Sequence, residues 1–196
     1  MIEEIRELRK RLDEAITYAD EPMAQKIAQE GLAIAQDKEL LGEMMYFKAQ
    51  REIIGQNLRE AVRFLDLAIT YNPKDGAAYN DRALCMVDLG MINEAWYYFD
   101  KGIEVEPDYA TIYHNKGWLL SKVGNYPEAL EYYNKALQLE PDRAVTYENI
   151  ADTLMHLGRS QEALAAYRKT LLLLSPAYRD IQEQIQSRIK TLEEEA

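Results

Sequence analysis

One interval governs this chain: residues of the same type return every 34 positions. Glu60, Glu94, Glu128 and Glu162 keep it, and so do Ala61, Ala95, Ala129 and Ala163. Gly90, Gly124 and Gly158 keep it, as do Pro73, Pro107 and Pro141, and Tyr79, Tyr113 and Tyr147. Several independent residue types holding one period of this size mark an array of stacked supersecondary units. The glutamates therefore recur because a structural position recurs. They need not converge on a substrate.

The clearest unit is residues 110–143, ATIYHNKGWLLSKVGNYPEALEYYNKALQLEPDR. Its first half places Ile112, Tyr113, Trp118, Leu119, Leu120 and Val123 at helical spacing, and its second half does the same with Ala129, Leu130, Tyr133, Ala136, Leu137 and Leu139. Gly124 between them suits a left-handed helix stop. Asn125 is expected to cap the second helix, with Glu128 completing a capping box. Pro127 fits the first turn, where its missing N–H costs nothing, and Pro141 ends the helix. Glu128 and its copies then favour the positive end of each second helix.

These residues resemble the tetratricopeptide repeat. Tyr113, Gly117, Gly124, Tyr126, Ala129, Tyr133, Ala136 and Pro141 match that family's pattern in full. The unit at 76–109 has Tyr79, Ala83, Gly90, Ile92, Ala95, Phe99, Gly102 and Pro107 in those places. The unit at 144–177 has Tyr147, Ala151, Gly158, Ser160, Ala163, Tyr167 and Thr170, with Pro176 one place late. The unit at 42–75 departs further, with Met45, Ala49, Gln56, Leu58, Ala61, Leu65, Ala68 and Pro73, and Glu52 at a position usually apolar. Residues 9–41 read as a degenerate fifth unit around a turn at Asp20, Glu21 and Pro22.

The resemblance implies an all-α chain: a single domain over 1–196 forming a right-handed α-solenoid of stacked helix-turn-helix repeats. One such hairpin cannot bury its apolar face alone, so neighbours must stack and the ends must tolerate water. Residues 178–195 read as a capping helix, with Tyr178, Ile181, Ile185, Ile189 and Leu192 on one stripe. Ile2, Ile5, Leu8 and Leu12 make a similar stripe at the other end.

The family's concave face is lined by the first helix of each repeat. Carried over, the candidate peptide-binding groove comprises Tyr46, Gln50 and Ile53; Asn80, Leu84, Val87 and Asp88; His114, Trp118, Ser121 and Lys122; and Glu148, Asp152, Met155 and His156. Trp118 reads either as an anchor for a partner side chain or as packing between neighbouring helices. Glu148, Asp152 and His156 lie at i, i+4 and i+8, on one helix face. Two carboxylates and a histidine have the chemistry to hold a metal, but no further ligand is evident, so the expectation is an acidic groove wall that favours a basic partner. The family's clamp for chaperone C-termini requires lysines that this chain lacks: the relevant positions hold Tyr46, Asn80, His114 and Glu148, and Glu43, Ala77, Thr111 and Val145.

Composition narrows the partner. Hydrophobic residues at 47% fit a folded chain, and the net charge of −11 argues against nucleic acid and anionic membrane surfaces. Cys85 is the sole cysteine, so no internal disulfide forms, and its apolar neighbours suggest a small buried hydrophobe. No apolar signal core stands at the N-terminus, and the longest aliphatic run, 171–174, is far short of a membrane span. The expectation is a cytoplasmic, non-enzymatic adaptor that needs no cofactor. No phosphate loop, paired-cysteine motif or nucleophile elbow is present. Two alternatives stand beside it: a self-assembling homo-oligomeric scaffold and a secretion-type chaperone.

Overall fold

A computed structural model describes residues 2–194; the expected end of the capping helix at residue 195 lies outside them. The described residues form eleven α-helices and no strand: α1 (Glu3–Thr17), α2 (Glu21–Asp37), α3 (Leu41–Ile54), α4 (Leu58–Tyr71), α5 (Gly76–Asp88), α6 (Ile92–Val105), α7 (Ala110–Lys122), α8 (Tyr126–Leu139), α9 (Ala144–His156), α10 (Ser160–Leu173) and α11 (Arg179–Glu194). The chain divides after Tyr109 into two compact units, α1–α6 and α7–α11. Within each unit every helix packs against the next in sequence. The architecture is the all-α helical-hairpin repeat expected of the sequence.

The hairpin turns follow from backbone sterics. Gly90, Gly124 and Gly158 adopt φ of 77°, 84° and 70°, the left-handed region that only glycine enters freely. The turn after α3 uses Gln56 at φ 59° in the equivalent place. A non-glycine residue there costs about 1–2 kcal/mol, one physical reason that repeat departs from the pattern. The expected capping box does not form: the Asn125 side chain makes no bond to a helix N–H, and its Nδ2 donates instead to Glu128 Oε2 at 2.5 Å. Asp20 and Asp75 do cap their helices, accepting from the backbone N–H of Met23 and Ala78.

Small residues at the hairpin contacts let helices touch. Ala61, Ala95, Ala129 and Ala163 are completely buried, and Cys85 is buried too, as a small hydrophobe. Burial pushes the Cys85 thiol up to about 12, so it stays protonated and unreactive near neutral pH. A methyl added at Gly117 would lie 2.9 Å from the Tyr133 ring and 3.1 Å from the Ala129 carbonyl oxygen. At Gly31 it would lie 2.3 Å from the fully buried Phe47 ring. The terminal stripes are used in part: Ile5, Leu8 and Leu12 are buried in α1 while Ile2 is exposed, and Ile185 and Leu192 are buried in α11 while Tyr178, Ile181 and Ile189 are half-buried.

The first unit also carries a buried charge cluster. Arg9 of α1 makes a two-pronged bond to Asp75, Nη1 to Oδ1 at 2.9 Å and Nη2 to Oδ2 at 2.7 Å. Its guanidinium lies 3.6 Å from the centre of the Tyr46 ring. Its Nε is 3.0 Å from Glu43 Oε2, an ion pair without hydrogen-bond geometry. Burial alone would lower the Arg9 pKa; Asp75, Tyr46 and Glu43 outweigh it and hold the group above its ordinary value. Burial raises the Glu43 carboxyl, and Arg9 opposes the shift. Arg9→Met leaves two buried acids without their cation and is expected to destabilise the first unit by about 3–5 kcal/mol. Urea unfolding followed by circular dichroism measures it; a loss below about 1 kcal/mol would mean the cluster contributes nothing net.

Candidate functional site

In the first unit, helical spacing puts Tyr46 and Gln50 on one face of α3, and Asn80, Leu84 and Val87 on one face of α5. Three of these five are consumed by the fold. Tyr46, Gln50 and Asn80 are buried. Gln50 Nε2 donates to Asp81 Oδ2 at 2.5 Å, tying α3 to α5, and Asn80 Nδ2 donates to Oδ1 of the same Asp81 at 2.9 Å within α5. Burial pushes the Asp81 carboxyl up to about 6, against the hydrogen bonds from Asn80, Gln50 and Tyr46 that favour its charged form. Leu84 and Val87 are half-buried, as is Ile53, and they leave apolar surface open; Asp88 is exposed.

In the second unit, His114 is buried against α9. With its proton on Nδ1, the ring donates to Thr146 Oγ1 at 2.9 Å and accepts from Asn149 Nδ2 at 3.3 Å. Burial, with Arg143 nearby, lowers the His114 pKa to about 3. Ser121 Oγ lies 3.2 Å from Thr153 Oγ1, which itself donates to the Asn149 carbonyl at 2.7 Å. Trp118 is half-buried, with Lys122 Nζ 5.5 Å from its ring centre. Met155 is half-buried.

Glu148, Asp152 and His156 do not act as one set. Arg188 of α11 reaches both acids, its Nη1 2.7 Å from Asp152 Oδ1 and 3.6 Å from Glu148 Oε1. The Tyr167 hydroxyl also donates to Asp152. His156 is exposed, and its ring stacks on Tyr126 with centroids 4.7 Å apart.

Four groups matter here that the sequence did not single out: Arg9, Asp81, Thr146 and Arg188. A fifth feature was available in the 34-residue interval. Lys48, Arg82 and Lys116 keep it, and so do Phe64, Tyr98 and Tyr132. Each cation lies over the aromatic ring of its own hairpin, at 5.7, 3.7 and 4.5 Å from the centroid. Tyr79–Tyr98 and Tyr113–Tyr132 repeat one stacked geometry, at 6.4 Å in both units. Charge and aromaticity recur there while residue identity varies, so a search for identical residues passes over them.

Tetratricopeptide repeat profiles match residues 110–143 and 132–165. No curated protein sequence is significantly similar to the chain. Among solved structures, TTC0263, a thermophilic TPR protein of Thermus thermophilus, is similar at 18% identity and TM-score 0.74, over 94% of this chain and 98% of its own. A MamA protein from Desulfovibrio magneticus RS-1 is similar at 18% identity and TM-score 0.59, over 78% and 93%. YrrB, described as a TPR protein with an unusual peptide-binding site, is similar at 14% identity and TM-score 0.57, over 88% of each chain.

The buried imidazole gives a pH prediction. The unfolded chain takes up a proton near 6.5 and the folded chain only near 3, so the neutral ring's contribution is complete above pH 6.5 and is lost as pH falls towards 3. The His114 ring resonances are expected to stay fixed between pH 7.5 and 5 in a two-dimensional NMR titration. A midpoint near 6.5 would mean the ring is solvated.

Proposed function

We propose that this tetratricopeptide-repeat protein is a protein-interaction module that holds a basic peptide or partner segment on the inner faces of its first helices, in the cytoplasm. On this proposal the helix pairs are five repeats at 9–41, 42–75, 76–109, 110–143 and 144–177, and 178–195 caps the last. The observation that carries it is a division of labour among the inner positions. Tyr46, Gln50 and His114 are buried in contacts with other helices and Asn80 is buried in a bond to Asp81 of its own helix, while Leu84 and Val87 in one unit and Trp118, Lys122 and Met155 in the other keep open surface.

A half-buried tryptophan beside a lysine has the composition of an interface anchor rather than of an enzyme pocket. The net charge of −11 and the carboxylates at Glu148 and Asp152 favour a cationic partner. No helix among the described residues is long and apolar enough to cross a membrane. YrrB's peptide-binding site supports the proposal by analogy.

The test uses a library of basic and acidic amphipathic peptides against the full chain, with Trp96→Phe so that Trp118 alone reports. Bound basic peptides are expected to shift the Trp118 emission. Trp118→Ala is expected to weaken binding at least about tenfold, and Leu84→Glu to weaken partners that span the first unit, both with unchanged helical circular dichroism. Binding indifferent to Trp118→Ala would place the partner on another surface, and preference for acidic peptides would reverse the charge assignment.

A further inference from the structure

Each terminal helix extends one arginine to its neighbours, and the two are held very differently. Arg9 of α1 meets Glu43, Asp75 and the Tyr46 ring, and its side chain is 9% exposed. Arg188 of α11 meets Glu148, Asp152 and Tyr167 with the same chemistry: two carboxylates, and an aromatic ring with its centre 5.7 Å from the guanidinium carbon. Its side chain is 43% exposed, as is that of Asp152. A buried pair of this kind cannot open without stranding charge, whereas a half-exposed pair is screened and exchanges readily with water and other cations.

The rest of α11 is equally loosely held. Only Ile185 and Leu192 are buried; its remaining surface is mostly Arg, Lys, Glu, Asp and Gln. It packs against α10, where Arg168 Nη2 meets Glu193 Oε1 at 2.6 Å, and reaches α9 through Arg188. Glu148 and Asp152 belong to the inner face on which the proposed function places a basic partner. In the free chain that acidic wall already holds a ligand, and the ligand is the chain's own arginine.

We propose that α11 is a displaceable clasp. Arg188 occupies an arginine subsite formed by Glu148, Asp152 and Tyr167, and a partner presenting an arginine on an amphipathic helix opens it by competing for that subsite. The partner's chemistry is written in α11 itself: isoleucines and a leucine at helical spacing (Ile181, Ile185, Ile189, Leu192) beside Arg188. This rests on the proposed function for the face involved, but the clasp can be measured without any natural partner.

The experiment compares full-length wild type with Arg188→Ala and with Arg188→Ala/Asp152→Asn. Hydrogen exchange read by mass spectrometry is expected to speed up about fivefold or more across α11 in Arg188→Ala, with α10 unchanged. A fluorescent peptide of residues 178–194 is expected to bind Arg188→Ala about five- to tenfold more tightly than wild type, and to lose that gain when Asp152→Asn is added. High salt should open wild-type α11 as the substitution does.

Equal exchange in wild type and Arg188→Ala overturns the clasp, as does peptide affinity that ignores Asp152. A dimeric mass for Arg188→Ala by light scattering overturns the partner in favour of a second copy exchanging α11. If α11 opens as expected while Trp118→Ala leaves peptide binding intact, the clasp stands and the wider groove assignment falls.

Discussion

Everything in this fold depends on two helices coming close enough for a backbone to touch a ring. At Gly117 there is no room for a methyl group, because Tyr133 and the Ala129 carbonyl already fill the space. At Gly31 the Phe47 ring does the same. Small residues on one helix and large planar ones on the next interlock as ridges and grooves, and the completely buried alanines repeat the solution at every hairpin. Once that approach is set, the remaining side chains are sorted by consequence. Those between hairpins must pair with a neighbour, and those on the open side are free to vary.

That sorting explains what could be read from the chain and what could not. The helices, their hairpin partners and their turns were legible because each is a local event repeated at one interval, and repetition averages away the exceptions. The exceptions are physical too. Gln56 stands where glycine is expected, and the turn forms with φ 59° all the same, closed by backbone bonds from the Gln56 N–H to the Ile53 carbonyl and from the Asn57 N–H to the Glu52 carbonyl. Asn125 turns its amide to the Glu128 carboxylate, so a capping box legible in the sequence is not the bond the side chain makes.

The candidate site was legible only as a set of positions. Tyr46, Asn80 and His114 share one place in the repeat and no chemistry, which read as variation for a ligand. In the structure each answers to a different nearby group: Tyr46 to Arg9, Asn80 to Asp81, His114 to Thr146 and Asn149. For Tyr46 and His114 those groups come from another repeat, so reading one repeat at a time cannot assign them; Asn80 bonds the next residue of its own helix. Arg188 was hidden for the same reason. In sequence it is one charge among many on a terminal helix, and only the folded chain sets it beside Asp152.

The Arg9–Asp75 bond has a consequence for how the first unit comes together. Nearly all of this fold's contacts join adjacent helices, and such an array is able to start folding at any hairpin and spread. The bond from Arg9 to Asp75 spans 66 residues, the longest reach among the side-chain hydrogen bonds described. It cannot form until the start of α5 is in place, because its acceptor, Asp75, caps that helix. It therefore acts late, converting three hairpins that could each fray alone into a unit that opens together. A chain emerging from a ribosome must expose Asp75 before its own first helix can lock.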